Sequence, residues 1–167
     1  LLKNTMDPDA PGTTISDADE STQSFHAVAA KDGITVIRIY SARMLMAYGF
    51  LRKVFEVFEQ YRTPIDMITT SEVAVSLTID DDNYLSRIVS ELREFGIVSV
   101  DKDQTIVSVV GHDIVEDPRS MEIFAALKGK PVRMISYGGS RNNISILIDS
   151  AAKKDVLKCL SDHLFKH

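Results

Sequence analysis

Val75-Ser76-Leu77-Thr78-Ile79-Asp80 and Ile144-Ser145-Ile146-Leu147-Ile148-Asp149 decide the fold of this chain. In each stretch an apolar residue recurs at every second position, the period of a strand that turns one face to a core. Each also has an upstream companion: Asp66-Met67-Ile68 stands before the first and Arg133-Met134-Ile135 before the second. A short unit therefore occurs twice.

Around the first copy the pattern extends in both directions. Ile34, Val36, Ile37 and Ile39 predict a strand ending at Tyr40, followed by a loop over 41–47. Phe50, Leu51, Val54, Phe55, Phe58 and Tyr61 recur at three and four residues, which predicts a helix over 48–61. Pro64 cannot continue that helix, and strands are expected over 65–71 and 73–79. A turn over 80–83 leads into a second helix bearing Leu85, Ile88, Val89, Leu92 and Phe95. Gly96 ends it, read as a residue in the left-handed region, and 97–100 supplies a fourth strand. Strand, helix, strand, strand, helix, strand is the split βαβ pattern, in which two helices cover one face of an antiparallel sheet.

The second copy starts with a strand over 105–110 and a helix opened by Asp117-Pro118, carrying Met121, Ile123, Phe124 and Leu127 and stopping at Gly129. Strands over 132–137 and 144–148 follow, then a helix marked by Val156, Leu157, Leu160 and Leu164. A fourth strand is lacking before His167, and a three-stranded sheet would expose an apolar edge. Phe25, Ala27, Val28 and Ala29 have strand character and belong to no element of the first copy, so they are expected to complete the second sheet. The expected fold is α+β: two ferredoxin-like βαββαβ domains, the first (33–102) inserted in the second (25–32 plus 103–167). Residues 1–24, with Pro8, Pro11, Gly12 and a polar run, read as a linker.

With 167 residues, 44% hydrophobic and 26% charged, the chain can bury one large or two small cores. Its net charge of −5 and the lack of any Lys/Arg stripe argue against nucleic acid and against anionic membranes as partners. No apolar stretch approaches the roughly 18 residues needed to span a bilayer. Cys159 is alone and forms no internal disulfide, which fits a reducing cytoplasm. His26, His112, His163 and His167 are dispersed, and Asp80-Asp81-Asp82 lacks the spaced ligands and glycine of a calcium loop, so no metal site is expected. The aspartate run reads instead as charge at a helix start, and Gly138-Gly139-Ser140 as a hairpin turn. The chain opens on Leu1 without an initiator methionine and is expected to be a piece of a longer protein.

Over nearly its whole length the sequence resembles the carboxyl-terminal half of aspartate kinases. Lys3-Asn4-Thr5-Met6-Asp7-Pro8-Asp9-Ala10-Pro11-Gly12-Thr13 is similar to the segment that ends the kinase domain in that family. Arg43-Met44-Leu45-Met46-Ala47-Tyr48-Gly49-Phe50-Leu51 and Pro64-Ile65-Asp66-Met67-Ile68-Thr69-Thr70-Ser71-Glu72 resemble the two effector motifs of its lysine-sensitive members. The resemblance implies a pair of ACT domains that bind an end-product amino acid, lysine first among the candidates, and form a homodimer. It further implies an upstream kinase domain that uses ATP and Mg to phosphorylate aspartate. These residues lack that domain's lysine- and glycine-rich motif, so no catalytic residue and no cofactor is expected here.

The implied effector site comprises Met44, Ala47, Gly49, Phe50, Leu51, Pro64, Ile65, Asp66, Thr70, Ser71 and Glu72. A free amino acid needs donors for its carboxylate and an acceptor for its ammonium. The first amides of the helix at Gly49, Phe50 and Leu51 suit the carboxylate, although Gly49 serves equally well to relieve a turn. Asp66 suits the ammonium or a local turn cap, and Glu72 suits a second ammonium or a polar exit turn. Ala47 and Pro64 stand where relatives carry small polar residues. The second copy lacks the Gly-Phe-Leu opening and has Arg133 in place of the aspartate, so it is expected to bind no amino acid. A rival expectation is a dimerisation scaffold indifferent to ligands.

Overall fold

The computed structural model describes residues 24–41 and 48–165. Two long strands organise it: β1 (Phe25–Tyr40) and β4 (Ile97–Gly111), antiparallel to each other. Between them in sequence lie α1 (Phe50–Gln60), β2 (Ile68–Thr70), β3 (Ala74–Ile79) and α2 (Leu85–Leu92). After them come α3 (Ser120–Ala126), β5 (Val132–Ser136), β6 (Asn143–Asp149) and α4 (Lys153–Leu164). The strands form a single sheet in the order β2-β3-β1-β4-β6-β5.

The sequence pattern predicts separate strands on either side of Gly33 and on either side of 101–104, whereas the structure joins each pair into one. Both joints are irregular. Gly33 takes a φ of +75° and Asp103 one of +56°, and the β1–β4 register shifts between Lys31 and Ile34 and again before Val36. A bulge adds a residue while hydrogen bonding continues on either side, so the strand bends without ending. The first part of β1 lies along the last part of β4, with Val28 opposite Val109 and Phe25 opposite Gly111. The last part of β1 pairs instead with β3 and with the start of β4.

Alternation along the strands sorts the apolar residues into three clusters. Ile37 and Ile39 join Val75, Leu77 and Ile79 beneath α1 and α2. Val107, Val109, Ile144, Ile146 and Ile148 lie beneath α3 and α4 with Phe25. The opposite face contributes Ile34, Val36, Met67, Ile106, Met134 and Leu147 to a smaller cluster drawn from both halves, and β2 touches β5 across it. The sheet therefore folds back on itself, helices outside and a thin apolar seam inside.

One expectation needs correction in its cause. Gly96 is not left-handed; a Cβ there would collide with the carbonyl group of Tyr40. Glycine is required because two backbones approach closely. The same holds at the other end of β4, where a Cβ on Gly111 would meet the carbonyl of Ser24.

Candidate functional site

Helix α1 begins on a bare turn. Its first residue follows Gly49, which takes a φ of +83°, and no side chain among the described residues caps the helix start. The first helical bond, from Lys53 N–H to the Gly49 carbonyl, spans 3.2 Å, and the first turn holds no acidic residue. The leading amides and the positive end of the helix dipole thus carry no compensating carboxylate from the helix itself. Phe50 turns inward to the core, while Leu51 is 37% exposed and Tyr48 fully so. Met44 and Ala47 lie outside the described residues.

The hairpin between β2 and β3 lies toward this end of the helix. The Ser41 amide donates to the Val73 carbonyl at 2.9 Å, joining the hairpin to the end of β1. Helix α1 runs antiparallel to α2: the Lys53 ammonium is 6.0 Å from the ring centroid of Phe95, and at the other end the rings of Tyr61 and Tyr84 are 5.7 Å apart. Since Phe95 and Gly96 adjoin Tyr40, the Gly49 end of α1, Tyr40 and the Thr70–Glu72 turn share one end of the sheet. An open groove of about 530 Å³ lies there, lined by Tyr40, Ser41 and residues 93–97. Ser71 closes the turn itself: its N–H donates to the Ala74 carbonyl at 2.8 Å, and its hydroxyl accepts from the Ala74 amide at 3.2 Å. Thr70 and Glu72 are exposed, and Glu72 has no ion pair among the described residues.

Pro64, Ile65 and Asp66 stand at the far end of α1. Pro64 and Ile65 border a second depression of about 450 Å³ beside Phe55 and Phe58. The Asp66 amide donates to Thr78 O at 2.9 Å, and the Met67 amide to the buried Thr78 hydroxyl at 2.8 Å, which fixes the backbone ahead of β2. The Asp66 carboxylate, 22% exposed, accepts from Lys31 Nζ at 2.6 Å; the same ammonium is 2.8 Å from Asp80. These carboxylates, Asp66 foremost, raise the Lys31 pKa above its usual value, and Lys31 in turn holds the Asp80 carboxyl below its own. Asp66 therefore accepts an ammonium, and that ammonium is the chain's own. Sequence reasoning missed Lys31 because its partners are 35 and 49 positions away, with no periodic signal joining them.

The aspartate run is likewise tied down. The Asp81 side chain accepts from the Asn83 amide at 2.9 Å and Asp82 binds Lys102 at 2.7 Å, while α2 has no acidic residue in its first turn. The run serves ion pairs and a turn. No three His, Cys, Asp or Glu side chains gather to hold a metal ion among the described residues.

In the second copy the corresponding loop is closed. Asp117 accepts from the Arg119 amide at 2.8 Å, Arg119 donates to the Ser24 hydroxyl at 2.8 Å, and Glu122 stands in the first turn of α3. Hydrogen bonds from Ser24 and Arg119 keep the Asp117 carboxyl below its usual range. The Ser120 hydroxyl donates to the Ile114 carbonyl and Tyr137 to that of Val115. Exposed Arg133 takes the place that Asp66 has in the first copy.

A family profile described as ACT domain matches residues 107–164. A solved structure from Porphyromonas gingivalis W83, assigned as the C-terminal regulatory domain of an aspartate kinase, is 52% identical, with a TM-score of 0.77 over 84% of this chain and 97% of that one. Escherichia coli aspartokinase III in complex with lysine and aspartate superposes with a TM-score of 0.84 at 31% identity, over 96% of this chain and 38% of that one. Aspartokinase 1, chloroplastic, of Arabidopsis thaliana is 34% identical over 99% of this chain and 31% of its own length. The chain thus spans about a third of the curated relatives it matches. By sequence and by fold, the chain belongs to the ACT-domain regulatory regions of the aspartate kinases.

Proposed function

We propose that this chain is the amino-acid sensor of an aspartate kinase and that lysine is its effector. The kinase portion would phosphorylate L-aspartate with ATP and Mg, the first step toward lysine, threonine and methionine, in the cytoplasm. Within the chain, residues 33–102 form the sensing ACT domain, inserted in a second domain made of 25–32 and 103–167. The pairing of the first part of β1 with the last part of β4 supports that division. The observation that carries the effector assignment is the E. coli relative, solved with lysine, whose likeness covers 96% of this chain.

In this reading the amides after Gly49 take the effector's carboxylate, Asp66 its α-ammonium, and Glu72 the ε-ammonium, with Met44, Ala47, Phe50, Leu51, Pro64, Ile65, Thr70 and Ser71 around them. An 11-residue helix is about 16 Å long, so Gly49 and Asp66 of one chain are too far apart for a single amino acid to touch both. The site is complete only between two copies, each supplying one end. Exposed Tyr48, Leu51 and Phe55 along α1 suit such a homodimer. To inhibit, lysine must favour one state of the kinase over another, since equal affinity shifts nothing.

Titration calorimetry with lysine, threonine and methionine tests the sensor. Lysine should bind, and Asp66→Ala should abolish binding while the circular dichroism spectrum is kept. Absence of heat with all three amino acids defeats the proposal. The scaffold reading gains from Ser71, whose hydroxyl is committed to its own turn. It predicts subunit association that ignores lysine, which sedimentation with and without the amino acid would reveal.

A further inference from the structure

Lys31 lies in β1 at the joint between the two halves of the sheet, two residues before the left-handed Gly33. Its neighbour Asp32 reaches the other way, accepting from the Thr105 hydroxyl at 2.9 Å and from Lys153. Asp32 anchors the joint to the second half, and that anchor holds Lys31 over Asp66 and Asp80 of the first, at 2.6 and 2.8 Å. The contact chemistry is that of a primary ammonium on a carboxylate, the same chemistry by which Asp66 would take the ammonium of an amino acid. Were Lys31 withdrawn, Asp66 and Asp80 would be left as like charges near one another, and their attraction for an external cation would rise.

We propose that Lys31 is a built-in competitor for the effector: its ammonium and that of the incoming lysine contend for the Asp66 carboxylate, and the contest sets the concentration at which the sensor responds. The proposal rests on the reading that Asp66 receives the effector's ammonium. Lys31 is thus a residue that tunes affinity from outside the effector motifs. Because the pair is partly open to water, at 48% for Lys31 and 22% for Asp66, the competition is a modest one.

The test is calorimetric titration of the 167-residue chain with lysine, for the wild type, Lys31→Met and Lys31→Arg. Removing an exposed pair of this kind should tighten lysine binding by roughly two- to fivefold in Lys31→Met. Lys31→Arg, which restores a cation, should stay within about twofold of wild type. If the wild type binds lysine and Lys31→Met binds it equally or more weakly, or Lys31→Arg tightens as much as Lys31→Met, the competitor is overturned while the sensor stands. If none of the three binds, the sensor reading and the competitor fall together; if only Lys31→Met binds, both are upheld. Should Lys31→Met not fold by circular dichroism, Lys31→Gln is judged by the same outcomes.

Discussion

Helix α1 starts on an open turn at Gly49, whereas α3 starts in a loop closed by Asp117, Arg119, Ser120 and Tyr137. The surrounding architecture is the same in both halves: two helices over strands whose alternate residues fill a core. Where the second half satisfies its loop with its own side chains and puts Glu122 at the helix start, the first has, among the described residues, neither a side-chain cap nor an acidic residue in its first turn. Asp66 and Arg133 complete the contrast, opposite charges at corresponding places. The difference teaches that one repeated fold can carry connections of opposite chemistry, because the cores constrain the elements and leave the loops free to differ.

The comparison can be broken hardest in the cores. Leu77, on β3, and Leu160, on α4, are fully buried, one in each helix-covered core. Leu77→Ala and Leu160→Ala should each cost about 2–5 kcal/mol in urea unfolding. Because β1 and β4 run through both halves, either variant should shift one common transition; two separated transitions would mean that the halves are independent.

A smaller effect is expected at the ends of β4. Gly96→Ala and Gly111→Ala each drive a Cβ into backbone, against Tyr40 and Ser24. Each should lose about 1–3 kcal/mol by thermal or urea melting, since backbone yields less readily than a side-chain tip. A neutral result at one end only would show that half to be the looser.

Helix starts allow a finer contrast. Gly49→Ala meets no atom within 4 Å but must hold a φ of +83°, and should cost about 1 kcal/mol. Glu122→Gln at the start of α3 should cost only about 0.3–1 kcal/mol, measured in the same way. If Gly49→Ala proves free of cost, the turn before α1 is not held by the rest of the fold.

The weakest expected effect is in acid. Asp80 and Asp82 in the first half and Asp117 and Asp155 in the second have folded pKa values held below 3.8 by their partners. A depressed carboxyl stabilises the fold above its unfolded pKa and loses that contribution as pH falls through the folded value. Stability from these groups should therefore be level from neutrality to about pH 5 and decline below about pH 4. The raised Lys31 works oppositely, its contribution present below 10.5 and lost above it. Asp82→Asn should flatten part of the acid slope, and an unchanged slope would show that its pair with Lys102 adds nothing.

Much of the fold was legible because alternation and the three- and four-residue stripe are local. Val75, Leu77 and Ile79 face the core as their spacing predicts, and Phe50, Val54 and Phe58 line the buried side of α1. Boundaries were less legible: the helix expected over 48–61 is Phe50–Gln60, and the strand expected over 65–71 shrinks to Ile68–Thr70. Asp66 lies ahead of that strand, where its backbone pairs with Thr78 but its side chain is free to meet Lys31.

The sequence by itself determined the repeat, the element order, the apolar faces and the unequal chemistry of the two loops, all carried by residues near one another along the chain. Only the tertiary structure decided that β1 and β4 each run unbroken through both halves, because a bulge lets hydrogen bonding persist across Gly33 and Asp103. It alone put Lys31 on Asp66, for an ion pair depends on distance in space and is indifferent to separation in sequence.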